Sequence, residues 1–354
     1  MLIAPHSCEP GPSGSGVLFL AADVGGTHAR VALARTLQVE TGACPVELLH
    51  GEVYACAAWP GLADLLADFA ARLAQTPWRD AGPIQACVLA CAGYVQEDVV
   101  VNRNLPWPVS ISALRDRLGI AHLAVINDFE ALAHAVPHVG PAEMRPLMTG
   151  DGAVGGLAAG PIVVMGPGTG LGCAVILPNG KGSQVLATEA AHVSLAPGTA
   201  RELDILRLLA GDQRHVPVEY ALSGPGLLKL YRVISALRGE EPTLHTPAEV
   251  TASALDGSSA AATEALNTFC ALLGSFAADL AALYSAYGGI LLAGGILPKI
   301  ESFLQQSDFK KRFMHKGVLT AFLERVPVHV IDHGDLGVLG AACWLEKDLA
   351  RKTD

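Results

Sequence analysis

Three glycine-dense bends mark places where bare backbone could do chemistry. DVGGTHAR at residues 23–30 follows the apolar run 17–22, GPGTGLG at 166–172 joins two apolar runs, and Gly294-Gly295 closes GGILLAGGIL at 288–297. Glycine brings backbone amides close to a crowded anion, because no side chain blocks the approach. If the three bends converge, the anion they suit is a phosphate chain; singly, such bends are more often plain turns. Neither common phosphate loop is spelled out. No G-x-x-x-x-G-K-[ST] occurs, and GPGTGLG has glycine at alternate positions instead of the G-x-G-x-x-G of dinucleotide sites.

Polar side chains with chemical spacing come next. Asn127-Asp128 stand between an apolar run and the helical stretch EALAHAVP. An Asp there is either a helix N-cap or a carboxylate poised for proton transfer, and the helix start favours its ionised form. Glu189 and His192, at i,i+3, could be a surface pair or a metal pair. No second His or Cys cluster stands near them in sequence, which argues against zinc. On their own, these residues favour the plainer readings.

The elements that must hold these residues alternate between strand and helix. Residues 17–23 read as a buried strand, with Ala29 to Arg35 as its hairpin partner around Gly25-Gly26. Residues 59–75 place Leu62, Leu65, Leu66, Phe69 and Leu73 on one helical face. Ile84 to Ala90 and His122 to Asn127 read as buried strands. A second α/β block starts near residue 139. In it, residues 160–177 predict strand, glycine turn and strand. The Ala-rich stretch Ser258 to Tyr287 predicts one or two buried helices. Val328 to Ile331 is a short strand after Pro327, and LGVLGAACWLEKDL a final helix. The expected fold class is α/β. Residues 1–16 are expected to be a flexible extension.

Composition narrows the function classes. The chain has 354 residues, 51% of them apolar, enough for well-buried cores and against disorder. A net charge of −10, with no basic stripe interleaved with aromatics, disfavours nucleic acid as a partner. The apolar window 277–297 is broken by Asp279 and two glycine pairs, so it predicts a core helix and strand rather than a membrane span. The N-terminal residues lack a basic and an apolar region of signal-peptide type. Eight cysteines, with no C-x-x-C spacing, read as buried thiols in a reducing, cytoplasmic setting.

The runs LAADVGGTHARVALA, INDFEALAHAVP, VMGPGTGLGCAVI, EAAHVSLAP, ALSGPGLLKLY and GGILLAGGILPK, in this order, resemble the bacterial glucokinases. These form the non-repressor branch of the hexokinase, actin and Hsp70 superfamily. The resemblance implies a two-domain actin-like ATPase (ribonuclease H-like) fold, with Mg-ATP and a sugar bound in an interdomain cleft. It implies 17–138 with 335–354 as a small α/β domain and 139–334 as a large one. It implies transfer of phosphate from ATP to the 6-hydroxyl of glucose, with Mg2+ as cofactor, in a homodimer. Asp23 would face the magnesium-bound phosphates, Gly25, Gly26 and Thr27 would form one phosphate clamp, and Gly168, Thr169 and Gly170 a second. Gly294 and Gly295 would lie against the adenosine. Asp128 matches the catalytic base, and Asn127, Glu189, His192 and Glu219 match sugar contacts, to which Asn104 could add another. Carboxylates, an amide and an imidazole suit hydroxyls that both donate and accept.

Two departures from the family pattern bear on activity. His28 stands where the family usually has Asn. Thr188-Glu189-Ala190-Ala191-His192 replaces Gly-Glu-Gly-Gly-His, and alanine resists positive φ and adds a methyl group. The alternatives are therefore a weakly active or inactive sugar-binding paralogue, a kinase for another hexose, or an ATPase module that takes no sugar.

Overall fold

The computed structural model describes residues 16–39, 43–101, 105–150, 157–180 and 182–353. Apart from Gly16, the expected N-terminal extension lies outside the described residues, as does Asn104. Contacts divide the chain into two compact units, one holding the residues up to Val139 together with those from His333 onward, the other Gly140–Asp332.

The first unit is organised by its most apolar run. LFLAADV forms β1 (Leu18–Val24), buried at every residue as a strand covered on both faces must be. β2 (His28–Thr36) folds back antiparallel on it, and β3 (Val46–Ala55) extends the sheet beyond β2. On its other side β1 pairs in parallel with β4 (Ala86–Cys91). Three short strands, β5 (Tyr94–Gln96), β6 (Val99–Val101) and β7 (Val109–Ser110), make a separate antiparallel sheet. β8 (His122–Asn127) then joins β4 in parallel, giving the order β3-β2-β1-β4-β8. The register sets Val24, Cys91 and Asn127 in one row across the sheet. Asp23 and Asp128 therefore flank the same row, at the carboxyl ends of parallel strands where open α/β sheets bind ligands.

Helices cover this sheet. α1 (Leu62–Arg72) starts at the first residue of the expected apolar face, just after Pro60-Gly61, and buries Leu62, Leu65, Leu66 and Phe69. Each buried side chain stabilises by about 1.5–3 kcal/mol. α2 (Ile111–Leu118) is capped by the Ser110 hydroxyl and ends at Gly119 in the left-handed region. α3 (Asp128–Ala135) follows β8 without a loop.

In the second unit a six-stranded sheet runs β12-β11-β10-β13-β14-β9. Its strands are β9 (Met144–Met148), β10 (Ile162–Pro167), β11 (Leu171–Pro178), β12 (Ser183–Ala187), β13 (Gly289–Leu292) and β14 (Val328–Ile331). Met165 pairs with Leu292, so the β10–β11 turn and the exit of β13 lie at the same end of the sheet. Four longer helices, α4 (Ala200–Ala210), α5 (Gly224–Arg238), α6 (Pro247–Leu255) and α7 (Ala260–Tyr284), are joined by the shorter α8 (Glu301–Gln306), α9 (Phe309–Met314) and α10 (Thr320–Leu323). The Ala-rich stretch forms the single helix α7. That helix is long and apolar enough to cross a membrane, yet 78% of its apolar window is buried inside the unit. The chain closes with α11 (Leu336–Thr353), which packs along α3 and β1 of the first unit.

Candidate active site

Asp23 is a buried acid of the first unit with two cationic neighbours. It is 8% exposed, and its Oδ2 stands 3.9 Å from Arg30 Nη1 and 3.6 Å from His333 Nε2. Asp335 lies 3.9 Å from Arg30 Nε, so two acids share one guanidinium. The start of α11 also runs against this carboxylate. A Cβ at Gly337 would come within 2.7 Å of Asp23 Oδ2, so only glycine fits there.

The β1–β2 bend is pinned from the end of β3. Cys56 donates its N–H to the Thr27 carbonyl at 2.9 Å and its thiol to the Gly25 carbonyl at 3.3 Å, while Gly25 N–H donates to His28 O at 3.0 Å. Gly25 lies outside the left-handed region, and a Cβ there would meet only the His28 carbonyl at 3.4 Å. Glycine is thus not demanded by the fold of the bend. What it leaves is an open face beside the exposed Thr27.

At the far side of the row, Asn127 rather than Asp128 caps α3. Its Oδ1 accepts from Phe129 N–H at 2.9 Å and from Glu130 N–H at 3.2 Å, which leaves its amide NH2 to donate elsewhere. Asp128 is the first helical residue, and its Oδ1 shares the Phe129 N–H at 3.0 Å. Burial pushes its carboxyl up to about 6, and the charge of Asp23 adds to the shift, against a smaller opposing effect of His333. The expectation that the helix start keeps this group readily ionised is corrected here: desolvation and a like charge outweigh the amides. Cys91, between the two acids in the row, is held as a neutral thiol by burial and by both their charges. For His333, burial opposes protonation, but contact with Asp23 and the charge of Asp128 together raise the imidazole above its ordinary value.

The second unit holds the other two bends side by side. Gly168 N–H donates to Gly170 O at 2.7 Å, closing the turn around the exposed Thr169. Gly224 N–H donates to Gly168 O at 2.8 Å, which sets the capped N-terminus of α5 against that turn. A helix start beside bare amides favours an anion. Gly294 has φ +100°, and a Cβ on it would approach the Pro167 carbonyl to 2.5 Å, so it joins the third bend to the second. A Cβ on Gly295 would meet nothing within 4 Å. Glu219 buttresses the turn, its Oε2 accepting from Leu171 N–H at 2.8 Å.

Glu189 and His192 are brought together, Oε2 to Nε2 at 3.7 Å, with side chains 69% and 61% exposed. So solvated a pair contributes little stability. Ala190–His192 form one 3-10 turn with both alanines buried. Among the described residues, the non-glycine positions with positive φ are Glu97 and Ser285. The alanines in place of the usual glycines therefore cost no backbone strain.

A family model described as Glucokinase matches residues 20–348. The chain belongs to the glucokinase family. It is 41% identical over 327 residues to a glucokinase-like protein of Xylella fastidiosa, covering 92% of this chain and 94% of that one. It is 38% identical over 338 residues to a glucokinase of Chromobacterium violaceum, covering 95% and 91%. Among solved structures, it is similar to a glucokinase from an Antarctic psychrotroph, with TM-score 0.78, 31% identity and coverage of 94% and 100%. The fold is accordingly the actin-like ATPase fold of the glucokinases, and the chain is a sugar-kinase phosphotransferase.

Within this glucokinase-family chain, reading the sequence missed Arg30, His333 and Asp335. The acid and imidazole cluster IDHGDL just ahead of the last helix was the available signal. The start of α5 was seen only as part of a motif.

Proposed function

We propose that the chain transfers the γ-phosphoryl group of ATP to the 6-hydroxyl of glucose, with Asp128 as the base. The observation that carries this reading is Asp128 itself, a partly buried carboxylate titrating at about 6 beside Asp23 at the ends of parallel strands. A base with that value is ionised at neutral pH, yet basic enough to take a hydroxyl proton as the bond to phosphorus forms. The hydroxyl oxygen attacks the γ-phosphorus, the bond to the β-phosphate bridging oxygen breaks, and ADP leaves. Asn127, with its Oδ1 fixed by the helix start, offers its NH2 to a sugar oxygen. Glu189, His192 and Glu219 are assigned to the sugar, with one Glu219 oxygen already engaged by the turn.

The glycine bends supply amides that neutralise phosphate charge without a moving part, which is where phosphoryl transfer gains most. Gly25, Gly26 and Thr27 are assigned to the phosphates, as are Gly168, Thr169, Gly170 and the α5 start, and Gly294-Gly295 to the nucleoside. Asp23 fits Mg2+ entering with ATP: it is an oxygen donor whose cationic partners stand off at 3.6 and 3.9 Å. When bound, Mg2+ would draw charge from the phosphates. The same reading makes the protein a cytoplasmic enzyme of glycolysis and a homodimer.

A coupled assay of wild type and Asp128→Asn with glucose, other hexoses and Mg-ATP tests this. We expect glucose 6-phosphate from the wild type, and from the variant retained glucose affinity with turnover reduced by orders of magnitude. ATP hydrolysis that ignores sugar, or glucose binding without turnover by the wild type, would replace this reading with an ATPase module or a sugar-binding paralogue.

A further inference from the structure

Away from the strand ends, the first unit gathers three soft ligands that no sequence spacing announces. Cys44 precedes β3, His138 ends the 3-10 turn that follows α3, and Cys343 lies in the middle of α11. One ligand atom from each lies within 4.8 Å of the other two. Cys343 is fully buried, whereas Cys44 and His138 are partly exposed, so the cluster has a floor and a way in.

We infer that Cys44, His138 and Cys343 form a binding site for a borderline-soft divalent cation, of which Zn2+ is the fitting case. Two sulfurs and an imidazole nitrogen are a known zinc donor set, with metal–sulfur distances of about 2.3 Å and metal–nitrogen of about 2.0–2.1 Å. Tetrahedral ligand atoms at those lengths stand about 3.5–3.8 Å apart, so from a spread of up to 4.8 Å the cluster need contract by about 1.3 Å at most. The fourth position is left to water or to a carboxylate, and Glu346, three residues on from Cys343 in α11, is close enough for its charge to act on both thiols. Two thiolates balance the charge of the ion. Sulfur donors disfavour Mg2+, so this site would not compete for the cation that accompanies ATP.

The three ligands lie on three separate segments, so the ion would tie the exit of α3 to the body of α11 and to the approach to β3. α3 begins at Asp128, and the first turn of α11 lies against Asp23. The cation would thus brace the scaffold behind both acids without touching either.

The test titrates Co2+ alone, then Zn2+ alone, into reduced, chelator-treated full-length protein. We expect one Co2+ per chain with thiolate charge-transfer absorption in the near ultraviolet and visible bands of tetrahedral intensity. The signal should be displaced by Zn2+ and untouched by millimolar Mg2+, and Zn2+ should raise the melting temperature. Because Cys343 is buried, Cys44→Ala and His138→Gln carry the comparison. Each should weaken Co2+ binding at least tenfold and lose the thermal shift while keeping the wild-type circular dichroism. Absence of the charge-transfer band overturns the inference. So does a band that both variants keep, or a Cys44–Cys343 disulfide that re-forms after reduction and shuts Co2+ out.

Discussion

Replacing Asp128 with Asn should make the protein more stable as it makes it inactive. The folded-state pKa of about 6 exceeds the ordinary carboxylate value of 3.8 by roughly two units, with burial the main cause and Asp23 the next. Each unit corresponds to about 1.4 kcal/mol, so ionising Asp128 in the fold costs at most about 3 kcal/mol. Residual contact with water brings the realised figure nearer half of that. For an acid whose folded pKa is raised, the folded chain holds more protons than the unfolded one between about pH 4 and 6. Stability is therefore full below about pH 4, falls as pH rises through 6, and stays level above. Asn keeps the shape and never ionises. At about 2–4 °C per kcal/mol, the variant should melt several degrees above the wild type at pH 7.5, with the gap closing towards pH 4. Differential scanning calorimetry from pH 4 to 8 measures it. A gap that is absent, negative or constant with pH would refute the argument that burial and Asp23 strain this carboxylate.

The acid limb of the wild-type kcat/KM profile should bend near pH 6, where Asp128 titrates, and a flat profile down to pH 5 would deny it the role of base. His333→Gln removes a positive charge that holds the Asp128 pKa down, so that limb should move to higher pH; movement to lower pH would contradict the arrangement. Gly294→Ala forces a methyl against the Pro167 carbonyl at positive φ and should cost about 1–3 kcal/mol of stability, whereas Gly295→Ala should leave melting unchanged and raise the KM for ATP. Equal melting of the two variants would remove the distinction between packing and ligand glycine. Ala190→Gly and Ala191→Gly should lower stability by about 0.5–1 kcal/mol each without raising kcat, because the 3-10 turn holds no strain to relieve; a gain in kcat would show that the alanines obstruct the sugar.

How much was legible in the chain depended on whether a segment's role was written in its own periodicity. β1, β8 and β14 are short apolar runs with clear ends, and their bounds follow from the sequence within a residue. β3 was not anticipated, because VELLHGEVYA mixes Glu47, His50, Gly51 and Glu52 into an outer strand whose partner β2 carries a register shift between Leu33 and Ala34. The small sheet of β5 to β7 was missed for a similar reason, each strand being two or three residues long. Among the site residues, glycine bends and the Asn-Asp pair announce themselves. Arg30 does not, since an arginine means nothing until register places it beside Asp23, and His333 is marked only by the acids around it in IDHGDL.

The two acids of the row also explain each other. Asp23 has Arg30 and His333 within ion-pair range, while Asp128 has amides, a shared thiol neighbour, the field of Asp23 and the weaker opposing field of His333. Environment thus splits two chemically identical side chains into different tasks. The acid with cationic partners is the one that the proposed reading turns towards the metal-bound phosphates. The acid with few partners is the one whose proton can come and go near neutral pH. Exchanging their surroundings, rather than their identities, would exchange their roles. His333 serves both at once, as counter-ion to Asp23 and as a charge that draws the Asp128 carboxyl back towards its ordinary value.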